Sequence, residues 1–312
     1  MQAYDIGLFI KNARESLGIT QNQLCLGICD RITLSRIEQG KQAPSNHVFG
    51  KLMERLGLPK SRCQILMNPQ DFEIAQLQRE ITKRNISGDY PNALEKIAQL
   101  EQLCAGLDEP SRALVNQYLL RAKALAGYYE GEEHKQYSLA AKREMLLQAL
   151  EITCPGITLE TMKAYLLGEE EAKIINQLAI THSEEGNRQR AMEIYRQLLK
   201  YIQSHLACSE INDVMLPLTA YNYSRLLGRE QRIEEAIEIA ELGRRCCIRS
   251  NKCRMLGGLL LNLACCYHDL GDDEKSKEFL VESYYVYKVM EKPHSCKLVK
   301  DYAWETFQLE ID

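Results

Sequence analysis

The sequence predicts an all-α protein, and three observations carry that prediction. The best helix-forming residues, Leu, Ala, Glu, Gln, Lys and Arg, dominate the 312-residue chain, and only 8 prolines and 18 glycines interrupt it. Apolar residues recur at three-to-four spacing, whereas the strict alternation of a half-buried strand is rare. Hydrophobic residues make up 45% of the sequence, which suffices for a packed core and excludes a disordered chain.

Four short helices are predicted at the start of the chain, over 6–16, 21–28, 31–39 and from Pro44 onward. Thr20 is a suitable N-cap for the second helix, and Gln23 stands where a capping box needs its partner. Asp30 can cap the third helix, and Gly40 ends it. Residues 1–68 hold nine basic and five acidic side chains, so this head is net +4 and the rest of the chain is net −8. A basic segment of this kind attracts phosphates.

The order and spacing of these residues resemble a known DNA-binding family. The strings GITQNQL at 18–24 and LSRIEQGK at 34–41, followed by Pro44, are similar to the Cro/repressor-type helix-turn-helix, and the resemblance covers about residues 5–66. The turn between the second and third helices is one residue shorter than in many phage repressors, as in the PlcR group of peptide-responsive regulators. The resemblance implies that the third helix enters the major groove of DNA.

The resemblance also implies which head residues meet DNA. The start of the second helix suits a phosphate, and arginines on the third helix suit guanine, although solvated charge is the alternative for Arg31 and Arg36. Arg14 and Glu38 match positions that form a structural ion pair in the family. The expected DNA contacts are Gln21, Arg31, Thr33, Arg36 and Lys41.

The step from Asn68 to Pro69 predicts a domain boundary, because a residue before proline disfavours continuing a helix. We therefore expect a DNA-binding domain over 1–68 and a second domain over 69–312. The second domain shows a recurring pattern of a small residue, a large residue, a turn glycine, an alanine and a large residue. The pattern is clearest over 179–195 and 264–280 and weaker around Ser224, Ile81 and Ala124.

This pattern resembles divergent tetratricopeptide repeats, which stack into a right-handed superhelix with a concave face. We expect about five repeats, with turns at Gly88, Gly131, Gly186, Gln231 and Gly271. A capping helix should begin at Pro293 and partly bury Tyr302, Trp304 and Phe307. The acidic run 169–171 is interpreted as the solvated first turn of a helix.

A Cro-type head followed by divergent repeats resembles the RRNPP group, the cytoplasmic peptide-pheromone receptors of Gram-positive bacteria. The resemblance covers the whole chain and implies a homodimer, with two heads on one palindromic double-stranded operator and a short signalling peptide in the concave groove. Asparagine can bond both backbone groups of an extended peptide, and arginine or lysine can hold a carboxylate. The expected peptide contacts are Arg121, Lys173, Asn176, Gln177, Asn222, Arg225 and Asn262.

The sequence thus predicts a quorum-sensing transcription regulator that binds specific DNA under the control of a peptide. Two alternatives stay open: a helical-repeat scaffold for protein–protein interaction, and a dimeric repressor that needs no peptide. No phosphate-binding loop, nucleophile elbow or metalloprotease string occurs, so we expect no enzyme and no catalytic residue.

The chain is also expected to need no cofactor, metal or membrane. The first residues carry charges instead of an apolar run, and no uncharged stretch reaches the roughly 18 residues of a membrane span. The 12 cysteines lack the spacing of zinc sites and are predicted to be free thiols in the cytoplasm.

Overall fold

A computed structural model describes residues 3–58, 68–131, 133–206 and 209–311 of the chain. The chain divides into two compact units, the first ending at Thr181 and the second beginning at His182. The first unit holds the head together with the first helix pairs that follow it. The described residues are mostly helical, as the sequence predicts.

The head consists of α1 (Ala3–Ser16), α2 (Gln21–Cys25), α3 (Arg31–Glu38) and α4 (Asn46–Arg55). The capping box at Thr20 and the cap at Asp30 are both confirmed. Helix α2 ends about three residues earlier than predicted, because Gly27 takes a left-handed φ of +67° and turns the chain toward α3. Buried aliphatic and aromatic side chains close the core, among them Ile10, Leu24, Leu34, Ile37, Phe49 and Leu52.

The rest of the first unit contains two helix pairs and most of a further helix. The elements are α5 (Pro69–Ser87), α6 (Tyr90–Cys104), α7 (Glu109–Ala126), β1 (Tyr128–Glu130), β2 (Glu133–Lys135), α8 (Leu139–Thr153) and α9 (Glu169–Glu184). Helix α9 begins at the acidic run, as predicted, and crosses the division between the units. Gly88, with φ of +74°, makes the predicted turn between α5 and α6.

The connection between α7 and α8 differs from the prediction of a plain turn at Gly131. The antiparallel strands β1 and β2 form a short hairpin there, in which Tyr128 pairs with Lys135. Gly127 ends α7 with φ of +86°, and a Cβ atom at this position would lie 2.7 Å from the Lys135 carbonyl oxygen. The hairpin replaces a tight turn, so α8 starts late and the repeat pattern appears weak at this point.

The second unit contains α10 (Arg188–His205), α11 (Asn212–Arg229), α12 (Ile233–Ser250), α13 (Leu256–Asp269), α14 (Asp273–Val289) and α15 (Pro293–Phe307). The predicted turn residues lie between paired helices, where Gly186 and Gly271 have φ of +84° and +80° and Gln231 has φ of +57°. The small repeat residues Ala264 and Ser276 are fully buried, which lets α13 and α14 approach closely. Within this unit the predicted helix pairs α11–α12 and α13–α14 are confirmed.

Helix α15 follows the last pair, as the predicted capping helix does. Tyr302 and Phe307 are half-buried against the core that includes Leu280 and Val299. The prediction for Trp304 was wrong, because its side chain is 54% exposed. Along α15, Val299 and Ala303 face the core, and Trp304 is one residue beyond that stripe.

Candidate functional site

Helix α3 is held so that one side packs into the head and the other is open. Asp30 caps it, since its carboxylate accepts hydrogen bonds from the Thr33 backbone N–H at 2.8 Å and the Thr33 hydroxyl at 2.7 Å. The hydrogen bonds from Thr33 lower the pKa of the Asp30 carboxyl. Leu34 and Ile37 are buried. The exposed side presents Arg31 and Arg36, two of the predicted DNA contacts.

A buried ion pair fixes α3 against α1, as the sequence predicts. The Arg14 guanidinium donates two hydrogen bonds to the Glu38 carboxylate, from Nε at 2.6 Å and from the second terminal nitrogen at 2.9 Å. The hydrogen bond to Glu38 raises the pKa of Arg14. The Gln21 side-chain amide donates to the same carboxylate at 2.8 Å. Arg31 Nε in turn lies 3.5 Å from the Gln21 carbonyl oxygen, at the limit of a hydrogen bond.

The five predicted DNA contacts therefore differ in how available they are. Arg31, Arg36 and Lys41 are exposed. Gln21 and Thr33 are half-buried, and their side chains bond Glu38 and Asp30 within the head. The structure thus places three cations on α3 and just after it, with Gln21 linking one of them to the buried pair.

One exposed residue of α3 was not predicted as a contact. Ile32 has a relative exposure of 65%, although Leu34 and Ile37 on the same helix are at 0% and 1%. The sequence offers a signal for it, because Ile32 does not fall on the three-residue spacing of the two buried aliphatic residues.

The head docks onto the helices that follow it through α4, not through α3. Lys51 Nζ lies 2.5 Å from the Glu171 carboxylate and 2.9 Å from that of Glu54. Glu54 also accepts a hydrogen bond from the Glu169 backbone N–H at 2.6 Å. Glu171 is fully buried, so the interpretation of the acidic run as a solvated turn was wrong at this residue.

The Glu171 carboxylate is the centre of a buried polar network. It accepts hydrogen bonds from Thr153 Oγ1 at 2.5 Å, from Gln117 Nε2 at 3.2 Å and from a backbone N–H. Burial by itself would raise the pKa of the Glu171 carboxyl, but the charges of Lys51 and Arg55, with the hydrogen bonds, lower it to about 2. Glu171 is therefore charged at neutral pH, and a buried charge requires these partners.

A second contact joins the α2–α3 turn to the end of α8. The Arg55 guanidinium donates to the Thr153 carbonyl at 3.0 Å and to the Leu24 carbonyl at 3.0 Å. Gly27 approaches the same place so closely that a Cβ atom would lie 2.5 Å from the Thr153 Cα atom. The docked arrangement therefore depends on a glycine in the DNA-binding motif itself.

A cavity of about 650 Å³ lies inside the first unit, where α4 faces α5, α7 and the start of α9. Two predicted peptide contacts line it. Arg121 donates to Glu170, at 2.5 Å from Nε, and Lys173 Nζ lies 2.5 Å from the Glu169 carboxylate. Both cations are thus paired with carboxylates in this state. The cavity wall also includes Lys51 of the docking network.

The other predicted peptide contacts of the first unit lie further along α9. Asn176 is 4% exposed, and Gln177 is half-buried. Asn176 is therefore closed to solvent in this conformation, because it lies on the packed side of its helix.

In the second unit, Asn222 and Asn262 occupy equivalent places on α11 and α13, as predicted. The Asn262 side chain donates to the Tyr221 carbonyl and to Ser224 Oγ, both at 2.9 Å. The Asn222 side chain donates to the Leu218 carbonyl at 3.1 Å. The Asn222 side chain thus donates within α11, and the Asn262 side chain donates from α13 to α11. Arg225 is exposed on the same helix as Asn222.

The remaining candidate chemistry in the described parts of the chain is metal binding by side chains and the reactivity of the thiols. There, no group of three or more His, Cys, Asp or Glu side chains is placed to hold a metal ion. The ten described cysteines are free thiols, and burial raises the pKa of Cys29 and of Cys154 to about 12. Likewise, no described helix is both long and apolar enough to cross a bilayer.

A docked helix-turn-helix head with an exposed basic recognition helix, followed by helix pairs, defines a DNA-binding transcription regulator with a helical-repeat body. The RNPP family C-terminal domain matches residues 89–303, and a helix-turn-helix family matches residues 10–61. The chain therefore belongs to the RNPP family. No curated protein sequence matches it.

Three solved structures of regulators show the same fold. PlcR of Bacillus thuringiensis, in complex with the peptide PapR7 and DNA, has 18% identity and a TM-score of 0.61 over 95% of this chain and 99% of that one. PlcR in its apo form has 17% identity and a TM-score of 0.57 over 96% and 98%. ComR of Streptococcus vestibularis, in complex with its signalling peptide XIP, has 16% identity and a TM-score of 0.50 over 96% and 97%.

Proposed function

We propose that the chain is a cytoplasmic homodimeric regulator that binds a palindromic operator and responds to a short signalling peptide. In this proposal residues 1–68 bind DNA, and residues 69–312 bind the peptide and form the dimer. The observation that carries the DNA half is the exposed side of α3, where Arg31 and Arg36 are open to solvent while the buried Arg14–Glu38 pair holds the helix in place.

These arginines and Lys41 supply the contacts that the operator needs. A bidentate arginine contact to guanine discriminates by about 1–3 kcal/mol against a wrong base. Each phosphate contact adds affinity that falls as salt rises. Gln21 contributes by positioning Arg31 and by offering the N-terminus of α2 to a phosphate, and Thr33 contributes near the N-terminus of α3.

Support for the peptide half comes from the family and from the cavity of the first unit. The similar structures of PlcR and ComR are named as complexes with signalling peptides. In this chain Arg121 and Lys173 line the cavity in pairs with carboxylates, so a peptide carboxylate would replace Glu170 or Glu169. In the second unit the proposed contacts are Asn222, Arg225 and Asn262. On α9 they are Asn176 and Gln177, of which Asn176 must become exposed.

The cavity also suggests how peptide binding affects the position of the head. Lys51 and Glu54 of α4 line the same cavity as Arg121 and Lys173. A ligand that moves Glu169 or Glu170 acts on the first turn of α9, which also holds Lys51 through Glu171. A peptide would then shift the population between docked and released heads, provided that it binds the two states with different affinity.

The test uses the full chain, with an operator selected in vitro from a random duplex library. Fluorescence anisotropy should show that Arg31→Ala with Arg36→Ala weakens binding tenfold or more, whereas Arg112→Ala, exposed on α7, does not. Sedimentation of the complex should give two chains per duplex. Failure to select any duplex would overturn the DNA half.

The peptide half is tested with synthetic peptides from the small reading frames that flank the gene. A bound peptide should raise the thermal midpoint and change operator affinity, and Lys173→Ala and Arg225→Ala should weaken both effects. By linkage the operator must change peptide affinity by the same factor. If no such peptide changes operator affinity, a peptide-independent repressor is favoured. If the chain binds no operator, a scaffold for protein–protein interaction is favoured.

A further inference from the structure

The outer side of α3 combines charge with one large apolar side chain. Ile32 lies four residues before Arg36, so the two share one side of α3. The adjacent Arg31 is exposed as well. A single exposed isoleucine is ordinary on a protein surface. Ile32, however, is 65% exposed on the side of α3 that the proposed function turns toward DNA.

We propose that Ile32 is a specificity-determining residue that contacts the C5-methyl group of a thymine in the operator. The inference rests on the proposed DNA binding and adds a base that the arginines do not read. Thymine alone presents a methyl group in the major groove, whereas the other bases present polar edges there. An isoleucine side chain has no donor or acceptor, so against those edges it would remove water without replacing its hydrogen bonds.

The neighbours of Ile32 narrow the position of that thymine. The cap at Asp30 fixes the first turn of α3, and Arg31 Nε beside it lies 3.5 Å from the Gln21 carbonyl oxygen. Arg36 follows one turn later on the same side. The thymine should therefore lie within a step or two of the guanine or phosphate that Arg31 or Arg36 contacts, once in each half-site.

The experiment replaces each thymine of the selected operator in turn by deoxyuridine, which removes the methyl group and keeps the base pairing. One buried methyl group corresponds to about a fourfold change in affinity. The full-length protein should lose about that factor at one thymine per half-site. Ile32→Ala should bind the thymine operator more weakly and should no longer distinguish thymine from deoxyuridine at that position.

Two further variants keep the result interpretable. Leu17→Ala removes a head leucine that is 54% exposed beyond the end of α1, and it should retain the full discrimination. Ile32→Gln should change the selected base from thymine to adenine, because a glutamine side chain pairs with the adenine edge. Ile32 lies outside the core, so both of its variants should fold, as circular dichroism can verify.

The possible outcomes separate this inference from the proposed function. If the operator binds but deoxyuridine lowers the affinity of the wild-type protein and Ile32→Ala by the same factor, or has no effect at any position, the role of Ile32 is wrong and DNA binding stands. If no duplex can be selected at all, the proposed DNA binding fails and the inference fails with it.

Discussion

Replacing the buried Glu171 carboxylate by an amide tests whether the ion network holds the head against the first helix pairs. The Glu171 carboxylate accepts hydrogen bonds from Lys51 Nζ, Thr153 Oγ1, Gln117 Nε2 and the Gly168 N–H. These four groups all need an acceptor at this place. The amide of Glu171→Gln keeps one acceptor oxygen and turns N–H groups toward donors. Lys51 also loses one of its two carboxylate partners and keeps Glu54 at 2.9 Å.

The size of the effect follows from the burial of the pair. Removing one partner of a buried ion pair costs about 3–5 kcal/mol. A unit the size of the first one unfolds with an entropy near 0.4 kcal/mol/K, so its thermal midpoint should fall by roughly 8–12 °C. Calorimetry of the full chain measures the midpoint, and hydrogen exchange of the α4 amides shows whether the loss lies at the docking surface.

Glu169, two residues before Glu171 on the same first turn of α9, supplies a matched control. Glu169→Gln removes a carboxylate that is 38% exposed and pairs with Lys173, and exposed pairs contribute about 0–1 kcal/mol. Its midpoint should fall by less than about 3 °C. Equal shifts for the two variants, or unchanged exchange of α4 in Glu171→Gln, would refute the role of the network in docking.

Three further predictions concern backbone strain and pH. In denaturant unfolding, Gly57→Ala should destabilise the first unit by about 1 kcal/mol, because its φ of +67° is strained for alanine. Gly27→Ala should destabilise it at least twice as much, because it has the same φ and would also place Cβ against the backbone of Thr153. Gln231→Gly should stabilise the second unit by up to about 1 kcal/mol, since glycine tolerates the observed φ of +57°, and a lower midpoint would contradict this. The pKa of Glu171 is about 2 in the folded chain against 4.5 ordinarily, so its stabilisation is complete above pH 4.5 and is lost as pH falls toward 2. Glu171→Gln should lack that part of the acid unfolding profile.

The features predicted correctly from the sequence are those encoded by local spacing. The cap at Asp30 and the capping box at Thr20 need only three residues between the partners. The Arg14–Glu38 pair follows from a family motif that spans the head. The repeat turns follow from glycine or its substitute at fixed places, including the left-handed Gln231.

The features that were missed depend on residues far apart in the chain. Lys51 and Glu171 are 120 residues apart, and the local sequence around each predicts a solvated charge. Their burial is decided by how α4 packs onto later helices, which no local pattern records. The same limit applies to Asn262, whose bonds to α11 could not be inferred from its place in the repeat.

The hairpin between α7 and α8 was missed for a different reason. Three-residue strands are too short to show an alternating pattern, and the turn glycine fitted the helical repeat. Trp304 was predicted as partly buried together with Tyr302 and Phe307, yet its position on α15 lies outside the apolar stripe and its side chain is 54% exposed. The helical spacing of Val299 and Ala303, which are the buried residues of α15, places Trp304 outside the core.

The head keeps its two contact surfaces on different elements, with α4 and the Gly27 turn toward the body and α3 uncovered. Substitutions at exposed positions such as Ile32 or Arg36 can therefore alter which promoters are recognised without touching Lys51 or its partners. After gene duplication, one copy can acquire new target genes while it still obeys the old signal. Regulators built in this way can diversify their targets and their signals along separate evolutionary paths.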